Sequence, residues 1–314
     1  MRPCTAALVL LGLLAAGAAA EDSAELLAAL RVQWKSQSTE HKLTELEKLE
    51  LVADGAVLEQ SLLWLKGADP AVAGGLIRLI GACARRDKLR PQAEKAVRDY
   101  LARHLTQRQK KEDREFKQIL RKHGSKLPPG NRMAAGPDWR DPYDERKRQI
   151  PKEILEERAL LKIIAAVVVR EKLRGALAQL GRAFQEHHDP QVLVYLAEAF
   201  GSLQEWRALP DMADVLRIQF HGRMVSGGAV IGADSWRKMR LKWDVHKDRV
   251  WWSRPEYVMR VRRPILEAFR KMTGQEVLSA REVDRWLLTH EAELQRHGVK
   301  LDGAFKARAR ASRE

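Results

Sequence analysis

Cysteine is nearly absent: Cys4 and Cys83 are the only two in 314 residues. Cys4 falls within MRPCTAALVLLGLLAAGAAA, which has Arg2, then a small and apolar run, then Ala18-Ala19-Ala20 before Glu21 and Asp22. That layout is expected of a secretory signal peptide over residues 1–20, cleaved near Ala20. Cys4 precedes the apolar run instead of following it, which argues against lipoprotein acylation. Cleavage would leave Cys83 alone, so an internal disulfide is excluded from the mature chain. Cys83 sits in LIGACA and is expected as a small core residue.

Long apolar runs are also missing. Thr5 to Ala20 falls short of the roughly 20 apolar residues a span needs, and the next longest run is Ile163 to Val169. No integral membrane segment is expected in the mature chain. Catalytic signatures are equally scarce: no G-x-S-x-G occurs, no P-loop, and no GxGxxG opening a helix after a strand. The Gly227-Gly228 pair lacks the Lys-Ser or helix that phosphate binding requires. His290-Glu291 begins like HExxH, but the position of the second histidine is Leu294, and His297 lies too far on. In EHHD, residues 186–189, adjacent His187 and His188 diverge, and zinc-ligand spacings are missing. Glu153, Glu156 and Glu157 suit the dipole at a helix start and need no acid–base role. No catalytic residue, metal or cofactor is expected.

What is present is helical periodicity. Charged residues make up 32% and aromatics 6%, the balance of a helical protein with wide wet faces. Leu26, Leu27, Leu30 and Trp34 recur at helical spacing, then Leu43, Leu46 and Leu49, then Val57, Leu58, Ser61, Leu62 and Leu65 as far as Gly67. DPAVAGGLIRLIG, residues 69–81, is echoed 120 positions later by DPQVLVYLAEAFG, residues 189–201. Asp69/Asp189, Pro70/Pro190, Val72/Val192, Leu76/Leu196, Gly81/Gly201, Leu89/Leu209 and Ala93/Ala213 are identical. The matches fall on a helix cap, an apolar stripe and a predicted glycine stop, and shared structure accounts for such placement better than chance does. Each copy reads as helix, Asp-Pro turn, helix, then a helix opened by Pro91 or Pro210. In the second copy Leu173, Leu177 and Leu180 mark the leading helix. Gly74 and Gly75 predict close approach by a neighbouring helix.

Two stretches interrupt the pattern. Residues 107–150, centred on LPPGNRMAAGPDWRDPYDE, read as a charged linker or insertion, and residues 221–236 as a loop or small hairpin. The expected organisation is therefore helical units over 21–106, the linker, a second helical unit over 151–220, and a basic, Trp-rich helical region over 221–314. KEILEERALLKIIAAVVV, residues 152–169, is expected as a largely buried helix despite its three terminal valines.

The two Asp-Pro stretches resemble the DPxVRxxAxxALG core of HEAT repeats. Val72 and Val192 match its valine and Gly81 and Gly201 its glycine, while Ala73 and Leu193 replace its arginine. The offset of 120 exceeds the roughly 40–47 residues of one repeat, so intervening units would be degenerate. The ending ILEAFRKMTGQEVLSAREVDRWLLTHEAEL, residues 265–294, is similar to the close of secreted HEAT-like proteins of planctomycete-type bacteria, through Thr273-Gly274-Gln275 and Trp286, with Leu287 in place of a second tryptophan. Ser279 suits the cap of the Trp286 helix. The resemblance implies an all-α fold, a degenerate solenoid of helical pairs, and a binding or scaffolding role with no catalytic residues.

Charge supplies the alternative. The formal net charge is +15, and residues 217–270 hold 13 Lys or Arg against five Asp or Glu. There Trp236, Trp243, Trp251 and Trp252 interleave with Arg237, Lys238, Arg240, Lys242, Arg249 and Arg254, a pattern that suits phosphate or carboxylate by charge and sugars or bases by stacking. Trp236 and Trp243 are seven apart, which equally suits one buried helix face. The expectation is an exported, non-enzymatic scaffold for a protein partner. The rivals are a polyanion-binding module (wall polymer, acidic polysaccharide or nucleic acid) and a hydrolase without a linear motif.

Overall fold

Short polar side chains open the helices at the positions where the sequence places them. In the computed structural model, which describes residues 23–123, 152–187, 189–220 and 255–311, all regular structure is helical, with no strand among the described residues. Residues 23–33 form α1. Then come α2 (Thr39–Leu51), α3 (Gly55–Trp64), α4 (Pro70–Cys83), α5 (Arg90–His123), α6 (Lys152–Arg170), α7 (Leu177–Glu186), α8 (Pro190–Leu203), α9 (Leu209–Phe220), α10 (Pro255–Thr273), α11 (Ala280–Thr289), α12 (Glu291–Arg296) and α13 (Gly303–Ala311). The backbone N–H of Val72 donates to Asp69 at 3.0 Å and that of Gln191 to Asp189 at 2.9 Å, each cap just ahead of a proline at the first helical position. Ser38, Asp54 and Ser279 cap α2, α3 and α11 in the same way. No helix among the described residues is long and apolar enough to cross a membrane.

The chain divides into two compact units, Met1–Ala102 with Glu156–Ala176, and Arg103–Leu155 with Leu177–Glu314. In the first, α4 is the centre: from Val72 to Cys83 only Arg78 escapes burial. An all-round apolar helix must be enclosed, and α2, α3 and α6 enclose it. The pairings run in ascending order along both partners. Leu43 and Leu46 meet Gly75, and Glu47 and Glu50 meet Arg78, so α2 lies parallel to α4. Ile163 meets Gly74, Val167 meets Gly81, and Glu171 meets Arg85, so α6 is parallel too. A second parallel pair is α1 with α3: Ser23 bonds Asp54, Arg31 bonds Gln60, and Trp34 stacks on Trp64. Each helix of these pairs therefore packs on the next but one.

In the second unit, α8 packs on α10 and α9 on α11. Val192, Leu196 and Phe200 of α8 are buried, as are Val261, Ile265, Ala268 and Phe269 of α10. Helices α6 and α8 end at residues with left-handed backbone, Lys172 and Gln204 (φ 53° each), and α10 at Gly274 (φ 73°).

Three sequence expectations change. The closing glycines are not helix stops: Gly81 and Gly201 lie inside α4 and α8. Their role is contact. A Cβ on Gly81 would come within 2.6 Å of Val167 Cγ1, and one on Gly201 within 2.8 Å of the Ala268 Cα. The expected linker does not begin at 107, because α5 continues to His123. QRQKKEDREFKQILRKH is built of good helix formers and meets no glycine until Gly124. Leu173 is not part of the helix leading the second copy; it lies in the turn before a short 3-10 segment, Arg174–Ala176, and α7 begins at Leu177.

Candidate interaction surfaces

The ten basic and aromatic residues singled out between Trp236 and Arg254 lie outside the described residues. The next described element along the chain is α10, an amphipathic helix. Its dry side carries Val261, Ile265, Ala268, Phe269 and Met272, and its wet side Arg260, Arg263, Arg270 and Lys271. Arg263 pairs with Glu267 at 2.9 Å and Arg270 with Glu276 at 3.6 Å. The hydrogen bond from Arg263 holds the Glu267 carboxyl below the usual carboxylate range. From Arg260 to Lys271 the wet side carries four basic residues and one acidic residue, Glu267, with Glu276 just beyond the helix as a second acid.

The histidines of the rejected zinc motif have a packing role in the second unit. His290 lies flat on Trp286, ring centroids 4.4 Å apart, and His297 flat on Trp206 at 3.9 Å. Trp206 and Trp286 are neighbours at 6.2 Å, with Phe269 edge-on to Trp286 at 5.2 Å. In the 186–189 turn, the buried His187 accepts the Asp189 backbone N–H through Nδ1 at 3.3 Å, while Asp189 caps α8. His188 lies outside the described residues. Among the described residues, no group of three or more His, Cys, Asp or Glu side chains is placed to hold a metal ion.

The first unit carries two features that the sequence did not single out, one polar and one aromatic. At one end, where α2, α4 and α6 finish together, Glu171 is buried and takes both forks of Arg85 (3.1–3.3 Å) and the Nε of Arg170 at 2.5 Å, while Arg90 donates to its carbonyl at 2.9 Å. Burial alone would raise the Glu171 carboxyl, but the two guanidiniums outweigh it and lower its pKa. Beside them Glu50 is pushed up by burial, against the pull of Arg78 at 4.0 Å. Four guanidiniums thus face three carboxylates, counting Glu47, and three helix carboxyl ends of about half a negative charge each. Because α3 and α5 also begin there, with about half a positive charge each, the sum is close to neutral, and each of the four guanidiniums is already engaged. The cluster locks helix ends together and does not suit anion capture. Cys83 is shut in nearby: its thiol points at the Asp54 carbonyl (3.7 Å), and burial pushes its pKa to about 12, so it is an inert core thiol.

The other feature is aromatic. Trp34, just past α1, and Trp64, the last residue of α3, stack with centroids 4.1 Å apart and planes within 10°. Both are half-buried, and the Lys42 ammonium lies 5.3 Å from the Trp34 ring centre. Val32 (86% exposed) and Leu63 (59%) are close by in sequence, so this corner shows apolar surface to water.

No protein-family model, curated protein or solved structure matches the chain. The geometry therefore stands alone. The Trp34–Trp64 pair had no sequence signal beyond two tryptophans at helix ends, since their separation of 30 residues fits no local period. Trp34 reads in sequence as the last position of a core stripe. Only the parallel run of α1 and α3 brings its ring to Trp64.

Proposed function

We propose that the chain is an exported, non-enzymatic scaffold of HEAT-like helical units that binds another macromolecule, a protein partner being the favoured one. The observation that carries this reading is the stacking order of the first unit, in which α1 lies parallel to α3, and α2 to α4 and α6. Two-helix units cannot bury their apolar faces alone; stacking them in register makes an extended ridged surface, and such surfaces serve recognition. The two Asp-Pro-capped helices, α4 and α8, each hold a contact glycine at the same point, Gly81 and Gly201, which supports repetition over coincidence. The test places photo-crosslinking residues at Glu59 on α3 and Arg285 on α11, both exposed, in the source cells. A discrete adduct outside the cytoplasm, competed by purified unmodified chain, is expected. Its absence from every position, or a chain that starts before Glu21 and stays in the cytoplasm, overturns the reading.

A second reading, a polyanion-binding module centred on residues 217–270, is favoured by the cationic wet side of α10. The hydrolase reading has no observation among the described residues in its favour.

A further inference from the structure

The charge at the tryptophan corner differs from that at the arginine end. Here α1 and α3 finish while α2 and α4 begin, so two helix carboxyl ends meet two amino ends and their partial charges cancel. Lys35 and Lys66 adjoin the tryptophans in sequence and Lys42 lies over one of them; among the described residues none of the three pairs with a carboxylate. The acids at the starts of α2 and α4 are Glu40 and Asp69, and Asp69 is engaged in capping α4. Net positive charge remains. Neither indole N–H is donated to any group among the described residues. Half-buried indole surface, two indole N–H donors and the Lys42 ammonium are thus gathered at one corner, with Lys35 and Lys66 beside the tryptophans along the chain.

We propose that this corner binds a strand of acidic polysaccharide. The apolar face of a sugar ring lies on the exposed indole surface, ring hydroxyls accept from the indole N–H groups, and uronate carboxylates pair with Lys35, Lys42 and Lys66. A nucleic acid fits less well. At 4.1 Å the two indoles leave no gap for a base between them. The arginine fork suited to phosphate is also engaged, since Arg31 donates to Gln60 at 2.5 Å. The inference rests on the exported binding role only for where such a polymer is met, and it does not involve residues 217–270.

The experiment uses the purified chain with 5-fluorotryptophan and ¹⁹F NMR, the Trp34 and Trp64 signals being assigned with Trp34→Phe and Trp64→Phe. The probes are short galacturonate oligomers, neutral glucose oligomers and oligo-dT. Saturable shifts at both signals with galacturonate alone are expected. They weaken at least about tenfold in Lys35→Gln/Lys42→Gln/Lys66→Gln and at high salt, since exposed charges are screened. Lys35 and Lys66 are exposed and Lys42 is half-buried, so an unchanged far-UV spectrum and thermal melt are required of the variant as the check that it folds. No shift at either tryptophan overturns the proposal, as do equal shifts with the neutral oligomer, a response to oligo-dT alone, or full binding by the triple lysine variant. Loss of the crosslinked partner in cells would leave this result standing, so the two readings fail separately.

Discussion

Asp211 is one residue with a folding cost that changes with pH. It stands in the first turn of α9, half-buried, and burial pushes its carboxyl from 3.8 up to about 6, with Asp214 adding to the rise and the Gln185 amide (3.0 Å) opposing it. A carboxyl raised in the folded state favours folding while protonated, so its contribution is full below pH 3.8 and is lost as pH rises through 6. Asp211→Asn removes that loss and keeps an acceptor for Gln185. Thermal melts should show the variant more stable by roughly 1–2 kcal/mol at about pH 7.5, after allowing for partial solvent screening, and no more stable at about pH 4. An equal gain at both pH values would mean that the carboxylate is not the cause.

At the scale of the element, glycine contacts separate what could be read from the sequence and what could not. Caps are local, so Asp69-Pro70 and Asp189-Pro190 marked the starts of α4 and α8 to the residue. The far side of a helix is not local. Gly81 and Gly201 read as stops because the residues that need their bareness, Val167 and Ala268, stand 86 and 67 positions away. The extent of α5 was missed for the opposite reason: its apolar stripe fades after Leu105, but helix propensity carries it to His123. For the candidate site, the cationic tryptophan cluster was visible as composition, whereas the Trp34–Trp64 stack depends on the register of two helices. Glycine substitutions then fall into two classes. Gly181, in α7, has nothing within 4 Å of its would-be Cβ, so Gly181→Ala should stabilise by about 0.5–1 kcal/mol through propensity alone. Gly201→Ala must push backbone aside at Ala268 and should cost about 2–3 kcal/mol. Denaturant melts of the two variants should shift in opposite directions; shifts of one sign would show that the α8–α10 contact is looser than 2.8 Å implies.

For the whole molecule the question is whether charge acts through its total or through its placement. A chain of net charge +15 will be retained by any anionic matrix, so retention on heparin proves nothing by itself. Placement is tested by two variants of equal total. Reversing Arg237, Lys238, Arg240 and Lys242 to Glu removes two charges at each site and takes +15 to +7. Reversing Arg86, Lys88, Lys95 and Lys172, all exposed in the first unit, gives the same total. Each contact between a cation and a polymer charge releases about one counterion, so the slope of log affinity against log salt counts contacts. If the polyanion reading holds, the first variant flattens that slope by about four while the second leaves it near the parent value. If both lose retention alike with parallel slopes, only net charge is at work, and the polyanion reading of residues 217–270 fails. The two outcomes differ in slope, not merely in strength, so a general loss of stickiness cannot pass for the loss of a site.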